Sequence, residues 1–320
     1  MSRRLSTPFL ASTLATALLL AGCEAPSSSP GLSGLAADTG GKPSSAPARA
    51  LLEPGCTART FHQPISSGKL DLLFVTDTSG SLTAEREEIA EGIDHFIRAL
   101  PEGHDIRIGV MLAHSPLSRY SGRLWRSDGG MIRGFERSEP WVLSTIDMPR
   151  GYVRAKLRQK LRWQESEYIS DGGEFGMGSL LSGLDSARLA ESRAKGFFRT
   201  DAALAVVFVS DENDICAEYP AGVTPVFDPD GLEAPAKRRF CTAAAGITPE
   251  RVLSRLQEQQ AGRPLVIGGI LYADPSRVPR GLENEAGYGY LETLRLAGDN
   301  GLVVERSEEH TSELQSPYVI

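Results

Sequence analysis

The chain carries apolar runs that are short for helices and that stop at an aspartate. Residues 72–75 read Leu-Leu-Phe-Val and break at Asp77; residues 203–209 read Ala-Leu-Ala-Val-Val-Phe-Val and break at Ser210-Asp211. A third run, residues 264–272, is equally apolar. A strand without polar alternation has both faces covered, the condition of an interior strand in a parallel sheet. Helical spacing separates these runs. Ile89, Ile93, Phe96, Ile97 and Leu100 recur until Pro101 and Gly103 end the pattern. Val153, Leu157 and Leu161 form one face over residues 152–163, with Arg154, Lys156, Arg158, Lys160 and Arg162 on its other faces, assigned to a solvated surface in preference to an anion-binding face. Leu180, Leu181, Leu184 and Ala187 predict one helix, and Thr248-Pro249 is a cap followed by an N1 proline. Further strands are expected over 106–113 and 302–304, with a short helix carrying Leu291, Leu294 and Ala297 between. This alternation predicts an α/β fold, a doubly wound mostly parallel sheet flanked by helices. Residues 114–149 and 212–247, poor in periodicity, are expected as insertions, and no internal repeat is present.

In such a sheet the loops at the carboxyl ends of the strands converge at the switch point, the usual ligand crevice. The first of these loops reads Asp77-x-Ser79-x-Ser81, a carboxylate and two hydroxyls on alternate positions, with Gly80 to tighten the turn. Oxygen ligands at that spacing suit a hard divalent ion that keeps several waters. A glycine-rich loop at residues 170–176 lies between the two strand-end aspartates and offers Glu174 as its carboxylate.

These three loops, in this order, resemble the ion-contacting loops of von Willebrand factor type A domains, the metal-ion-dependent adhesion site. The resemblance spans residues 69–305 and implies a Rossmann-like type A fold. It assigns Asp77, Ser79 and Ser81 as first-loop metal contacts and Asp211 as the third. The middle position departs from the family, which has Thr there; Glu174 takes its place, because Ser179 falls inside the following helix. The implied cofactor is a divalent cation, Mg²⁺ first, with Mn²⁺ or Ca²⁺ as alternatives. The extra carboxylate over-neutralises the ion, which strengthens its retention and weakens its pull on a partner carboxylate. Glu212, Asn213 and Asp214, next in sequence, read as polar residues of a turn or as groups orienting water, with the turn preferred. Asp228-Pro229-Asp230-Gly231 reads as a turn.

Residues 1–22 carry a basic start (Arg3, Arg4) and an apolar stretch short for a membrane span, the pattern of a signal peptide. The stretch closes in Leu20-Ala21-Gly22-Cys23, similar to a bacterial lipobox, so Cys23 is the expected lipidation site. Glu24 in place of Asp implies the outer membrane. Residues 23–60, dense in Ser, Pro, Ala and Gly, predict a disordered tether. Of the remaining cysteines, Cys216 and Cys241 bracket an insertion and are expected to close it with a disulfide, leaving Cys56 over. Residues 306–320 resemble the translation of a sequencing-library adapter and are set aside as foreign, His310 included.

A net charge of -7 argues against bulk nucleic-acid binding. A strand ending in Asp is also similar to the haloacid dehalogenase-like phosphohydrolases, whose nucleophile is followed two residues on by a second Asp. Ser79 stands there and removes the general acid. No phosphate loop or nucleophile elbow is present, and His62, His95, His104 and His114 have no metal-ligand spacing. The expectation is a non-enzymatic, envelope-anchored lipoprotein that binds an unidentified protein or glycan partner through its ion. The alternatives are a scaffold whose ion only stabilises the domain, and a phosphohydrolase.

Overall fold

The computed structural model describes residues 68–80, 82, 89, 92, 96–100, 102–126, 139–162, 174–223, 233–279 and 284–305. The signal peptide, tether, Cys23, Cys56, Ser81, the start of the glycine-rich loop, residues 228–231, His62, His95 and the last fifteen residues lie outside these. The chain divides into two units, Met1–His62 and Gln63–Ile320, and all described residues belong to the second.

Six strands form one sheet in the order β3-β2-β1-β4-β5-β6. They are β1 (Lys69–Thr76), β2 (Asp105–Leu112), β3 (Leu143–Ser144), β4 (Ala203–Val209), β5 (Leu265–Leu271) and β6 (Gly301–Glu305). All neighbours run parallel except the two-residue β3, which is antiparallel to β2. The expected short strands of the 114–149 insertion reduce, among the described residues, to β3 and one bridge between Met111 and Leu124.

The apolar strands are apolar because helices cover both faces. Successive residues of a strand point to opposite sides, and β1 divides accordingly. Leu73 and Val75 pack with Leu180, Val206, Phe208, Leu256 and Leu291, while Leu72 and Phe74 pack with Ile97, Ile108, Val110, Val153 and Leu157. The first face is covered by α2 (Gly176–Gly183), α5 (Pro249–Gln260) and α6 (Tyr290–Leu296); the second by α1 (Arg150–Arg162) and the helical residues 96–99. In α5 the Thr248 side chain accepts from Arg251 N–H, with Pro249 at the start.

Two expectations are corrected, and a third, the insertion closed by Cys216 and Cys241, is borne out and extended. The helix expected after the glycine-rich loop is two, α2 and α3 (Ser186–Ala194), because Asp185 takes an extended conformation (φ -67°, ψ 148°) that ends the first. The insertion 212–247 contains its own helix, α4 (Glu233–Phe240), joined back by a disulfide between Cys216 and Cys241. Lys160, assigned to the solvated faces of α1, is buried, its Nζ donating to Trp125 O at 2.8 Å. It lies three residues after Leu157, on the edge of the apolar stripe, and a carbonyl and an indole face wait there to receive it. Among the described residues no helix is long and apolar enough to cross a membrane.

Candidate functional site at the carboxyl rim of the sheet

β1 lies between β2 and β4, with Thr76 opposite both Leu112 and Val209. The chain leaves β1 towards β2 and later returns to its other side as β4, so the loops after β1 and β4 part at a switch point. Asp77 N–H donates to Val209 O at 2.9 Å, continuing the ladder one residue past the strand and setting Asp77 beside Ser210. Its carboxylate is then held from two loops. Oδ1 accepts the Ser79 N–H at 2.6 Å, an Asx turn that folds Ser79 back over the strand end, and Oδ2 accepts the Ser210 hydroxyl at 2.6 Å. Asp211 follows, fully buried, and its carbonyl accepts from Glu285 N–H at 2.8 Å. Asn284, one residue earlier, is 2% exposed, and neither atom of its amide finds a hydrogen-bond partner among the described residues. A buried amide in that state costs free energy until something polar meets it.

The loop after β2 joins the same rim. Phe175 N–H donates to Ala113 O at 2.8 Å, which docks the start of α2 there and places Glu174, 3% exposed, at its edge. Ser179 is inside α2, as the sequence places it, donating to Leu112 O at 2.7 Å and accepting from Gly122 N–H at 3.1 Å.

Three residues of this rim were not identified from sequence. Asp214, assigned to a turn, caps α2 instead: its Oδ2 accepts Met177 N–H at 2.7 Å and its Oδ1 accepts Cys216 N–H at 2.9 Å. The N-cap residue itself, Phe175, has no side chain able to do this, so a carboxylate from another loop meets the helix dipole. Burial raises the Asp214 pKa to about 6, against the pull of those amides. Tyr290 stacks on Phe208 with ring centroids 4.8 Å apart, and its hydroxyl lies 3.4 Å from Glu174 O. A Cβ on Gly176 would stand 2.6 Å from that hydroxyl, so only glycine lets the phenol reach the helix start. Burial holds the Tyr290 pKa well above the usual tyrosine value, and the charges of Asp214, Asp77 and Glu174 add to it. One phenol therefore feels three carboxylates contributed by three loops. His114, fully buried, bridges Thr78 Oγ1 (2.8 Å from Nε2) and Ser118 Oγ (2.9 Å from Nδ1), bracing the first loop from β2.

The donor chemistry suits a hard cation: Asp77, Ser79, Asp211 and Glu174 are all oxygen donors, buried at one rim. Among the described residues, however, no three His, Cys, Asp or Glu side chains group closely enough to hold an ion. An ion here would depend on hydroxyls and waters as well as carboxylates, and Ser81, the second serine of the motif, lies outside the described residues.

No protein-family model matches the chain, and no curated protein matches it. Among solved structures it is similar to proximal thread matrix protein 1 from the mussel byssus, at 14% identity and a TM-score of 0.37, over 78% of this chain and 44% of that one. It is also similar to a von Willebrand factor type A protein from Catenulispora acidiphila, at 13% identity and a TM-score of 0.33, over 78% and 42%. The pilus adhesin SpaC from Lactobacillus rhamnosus GG follows at 11% identity and a TM-score of 0.33, over 77% and 29%. The chain thus spans less than half the length of each of these structures.

Proposed function

We propose that this is an envelope lipoprotein, anchored through Cys23 and bearing a type A-like domain that binds a protein or glycan partner through a divalent ion. Asp77, Ser79, Ser81 and Asp211 would hold the ion, Mg²⁺ first, with Glu174 in the middle position. When bound, it supplies a positive centre with a coordination position open to a partner oxygen. The observation that carries the reading is the joining of the first and third loops through the Ser210 hydroxyl on Asp77 Oδ2, which sets strand-end aspartates far apart in sequence on one rim. The protein is read as a binding module, not an enzyme, since Ser79 occupies the place of a second acid.

A second reading has its own support. Asp77 and Asp211 are 1% and 0% exposed, so an ion they share would be sealed from a partner and would only stabilise the domain. Thermal unfolding in Mg²⁺, Mn²⁺, Ca²⁺ and EDTA tests both. A ligand at a hundred times its dissociation constant adds about 2.7 kcal/mol to the folded state, which for a domain of this size raises the melting temperature by about 5–10 °C. Asp211→Ala and Ser79→Ala should each abolish the rise. Equal melting points in every condition would end both readings; a rise with partner capture indifferent to EDTA would leave only the second.

A further inference from the structure

Away from the rim, on the other side of Phe175, a cleft of about 270 Å³ opens between α2, α4 and α5. Its apolar part is made by Phe175, Leu181 and Phe240, the two phenyl rings meeting edge to face with centroids 5.9 Å apart. Three guanidinium groups stand around it, Arg239 from α4 and Arg251 and Arg255 from α5, against one carboxylate, Asp185. In a chain of net charge -7 such a concentration of positive charge is out of keeping with the whole.

The arginines differ in what they already do. Arg255 donates to Glu258 at 2.7 Å and to Leu184 O at 3.0 Å. Arg251 directs Nη1 to Ala245 O at 2.6 Å and to Gly246 O at 3.3 Å, leaving its other donors unspent. Arg239 lies over the Phe240 ring, 5.2 Å from its centroid, and makes no hydrogen bond or ion pair among the described residues. A guanidinium carries five N–H donors in a planar fork matched to a carboxylate. Asp185, exposed, is the residue before α3, and its side chain caps nothing there.

The walls are held in place. The Cys216–Cys241 disulfide pins the residue after Phe240, Lys237 Nζ donates to Ala217 O at 2.9 Å, and Thr248 caps α5. A cleft built before its ligand arrives spends less of the binding free energy on ordering.

From this juxtaposition we infer that the cleft binds a free carboxylate carried on an apolar residue. The carboxylate meets Arg239 and Arg251, the side chain lies on Phe175 and Phe240, and Asp185 accepts the residue's N–H. Its volume, at the small end of ligand sites, fits one such residue. Two sources share this chemistry, a free apolar amino acid and the carboxyl terminus of a peptide. Asp185 argues against a phosphate dianion, which it would repel.

The test is isothermal titration of the full chain with N-acetyl-phenylalanine, N-acetyl-phenylalanine amide and phenylalanine. Buffer freed of metal on a chelating resin keeps the result independent of the ion site, and avoids a soluble chelator whose carboxylates would compete. The N-acetyl acid, with about fifteen heavy atoms, should bind with a dissociation constant on the order of 0.5 mM, as expected from the ligand efficiency of a drug-sized molecule. The amide should bind at least tenfold more weakly. Arg239→Gln should weaken the acid about tenfold and leave the amide unchanged, and because Arg239 is exposed its melting temperature should match the wild type. Asp185→Asn should strengthen the N-acetyl acid and weaken phenylalanine, whose ammonium uses that carboxylate. Tighter phenylalanine in the wild type identifies the free amino acid as the source; a tighter N-acetyl acid identifies the peptide terminus. Equal binding of acid and amide, no heat at 10 mM acid (~20 times the expected constant), or an Arg239→Gln variant that binds both as the wild type does would overturn the proposal.

Discussion

At the amino ends of β1 and β2 two carboxylates, Asp71 and Asp105, are gathered by one guanidinium. At the carboxyl ends of β1 and β4 the carboxylates of Asp77 and Asp214 are met by hydroxyl and amide dipoles. Arg199 donates from its backbone N–H and Nε to Asp71 at 2.7 and 2.8 Å, from Nη1 to Asp105 Oδ2, and from Nη2 to the carbonyls of Leu70 and Asp105. Burial raises the Asp71 pKa, and Arg199 opposes that rise. The amino end is thereby largely closed: four of the five guanidinium N–H groups meet acceptors of the chain itself. The carboxyl end instead collects Asp77, Glu174 and Asp214 around a phenol whose own pKa their charges help to raise, with Asp211 buried on the same rim. The same residue type serves stability at one rim and leaves a reservoir of negative potential at the other.

The largest expected effect comes from removing the cation of the closed end. Arg199→Met takes the ion-pair partner from buried Asp71 and leaves Asp105 with Arg107 at 3.7 Å, and should destabilise the domain by about 3–5 kcal/mol. Adding Asp71→Asn to it should recover part of that loss. Urea unfolding at neutral pH measures both. A cost below about 1 kcal/mol, within the range of an exposed pair, would break the contrast between the rims.

Asp214 should have the next largest effect. Asp214→Ala removes the acceptor of Met177 N–H at the start of α2 and that of Cys216 N–H in its own loop, and should cost about 2–3 kcal/mol, the cost of leaving a buried donor unsatisfied. Asp214→Asn, with one acceptor and one donor where two N–H groups converge, should cost about 1 kcal/mol less than the alanine variant. The pH dependence sharpens the point. With a folded pKa of about 6 against an ordinary 3.8, the folded state binds more protons than the unfolded state between those values. The contribution of Asp214 to stability therefore falls as pH rises from 3.8 to 6 and is constant above. The asparagine variant should lose that slope, read from melting temperatures between pH 4 and pH 7.

What could be read from the chain follows the range of the contacts. Asp77 and Asp211 are legible because an apolar run ending in an acid is local, and a parallel sheet aligns the ends of its strands. Parallel pairing of β1 with β4 then sets Asp77 beside Ser210 without any further signal. Asp214 is not legible as a cap, since the amide it caps, Met177 N–H, lies 37 residues earlier. Nor is Tyr290, whose hydroxyl lies against Glu174, 116 residues away. His114 has no metal-ligand spacing, and its two contacts are hydroxyls, 36 and 4 residues distant, which no ligand spacing reveals. The break between α2 and α3 was hidden for a different reason: the apolar period runs across it, and Asp185 interrupts the backbone without interrupting the pattern.

Lys160 is the inverse of the carboxyl rim, a buried amine met by dipoles, and supplies the most specific test. Its Nζ donates to Trp125 O and lies 5.7 Å from the Trp125 ring centroid, while Glu139, which draws its charge, is bonded to Lys156 at 2.6 Å. Burial lowers its pKa from 10.5 to about 7, with Glu139 opposing and Lys156 and Arg126 adding to the fall. Between those values the unfolded state binds the proton and the folded state does not, so the contribution of Lys160 rises as pH increases from 7 towards 10.5 and is lowest below 7. The slope is at most about 1.4 kcal/mol per pH unit. Lys160→Met, similar in volume and without the ammonium, should flatten the rise between pH 7 and pH 9 and stabilise the domain at pH 6. If wild type and variant keep parallel curves, the amine is charged in the folded protein. Dipoles would then suffice to hold a buried charge of either sign, and the full counter-charge of Arg199 at the amino end would not be a requirement of burial alone.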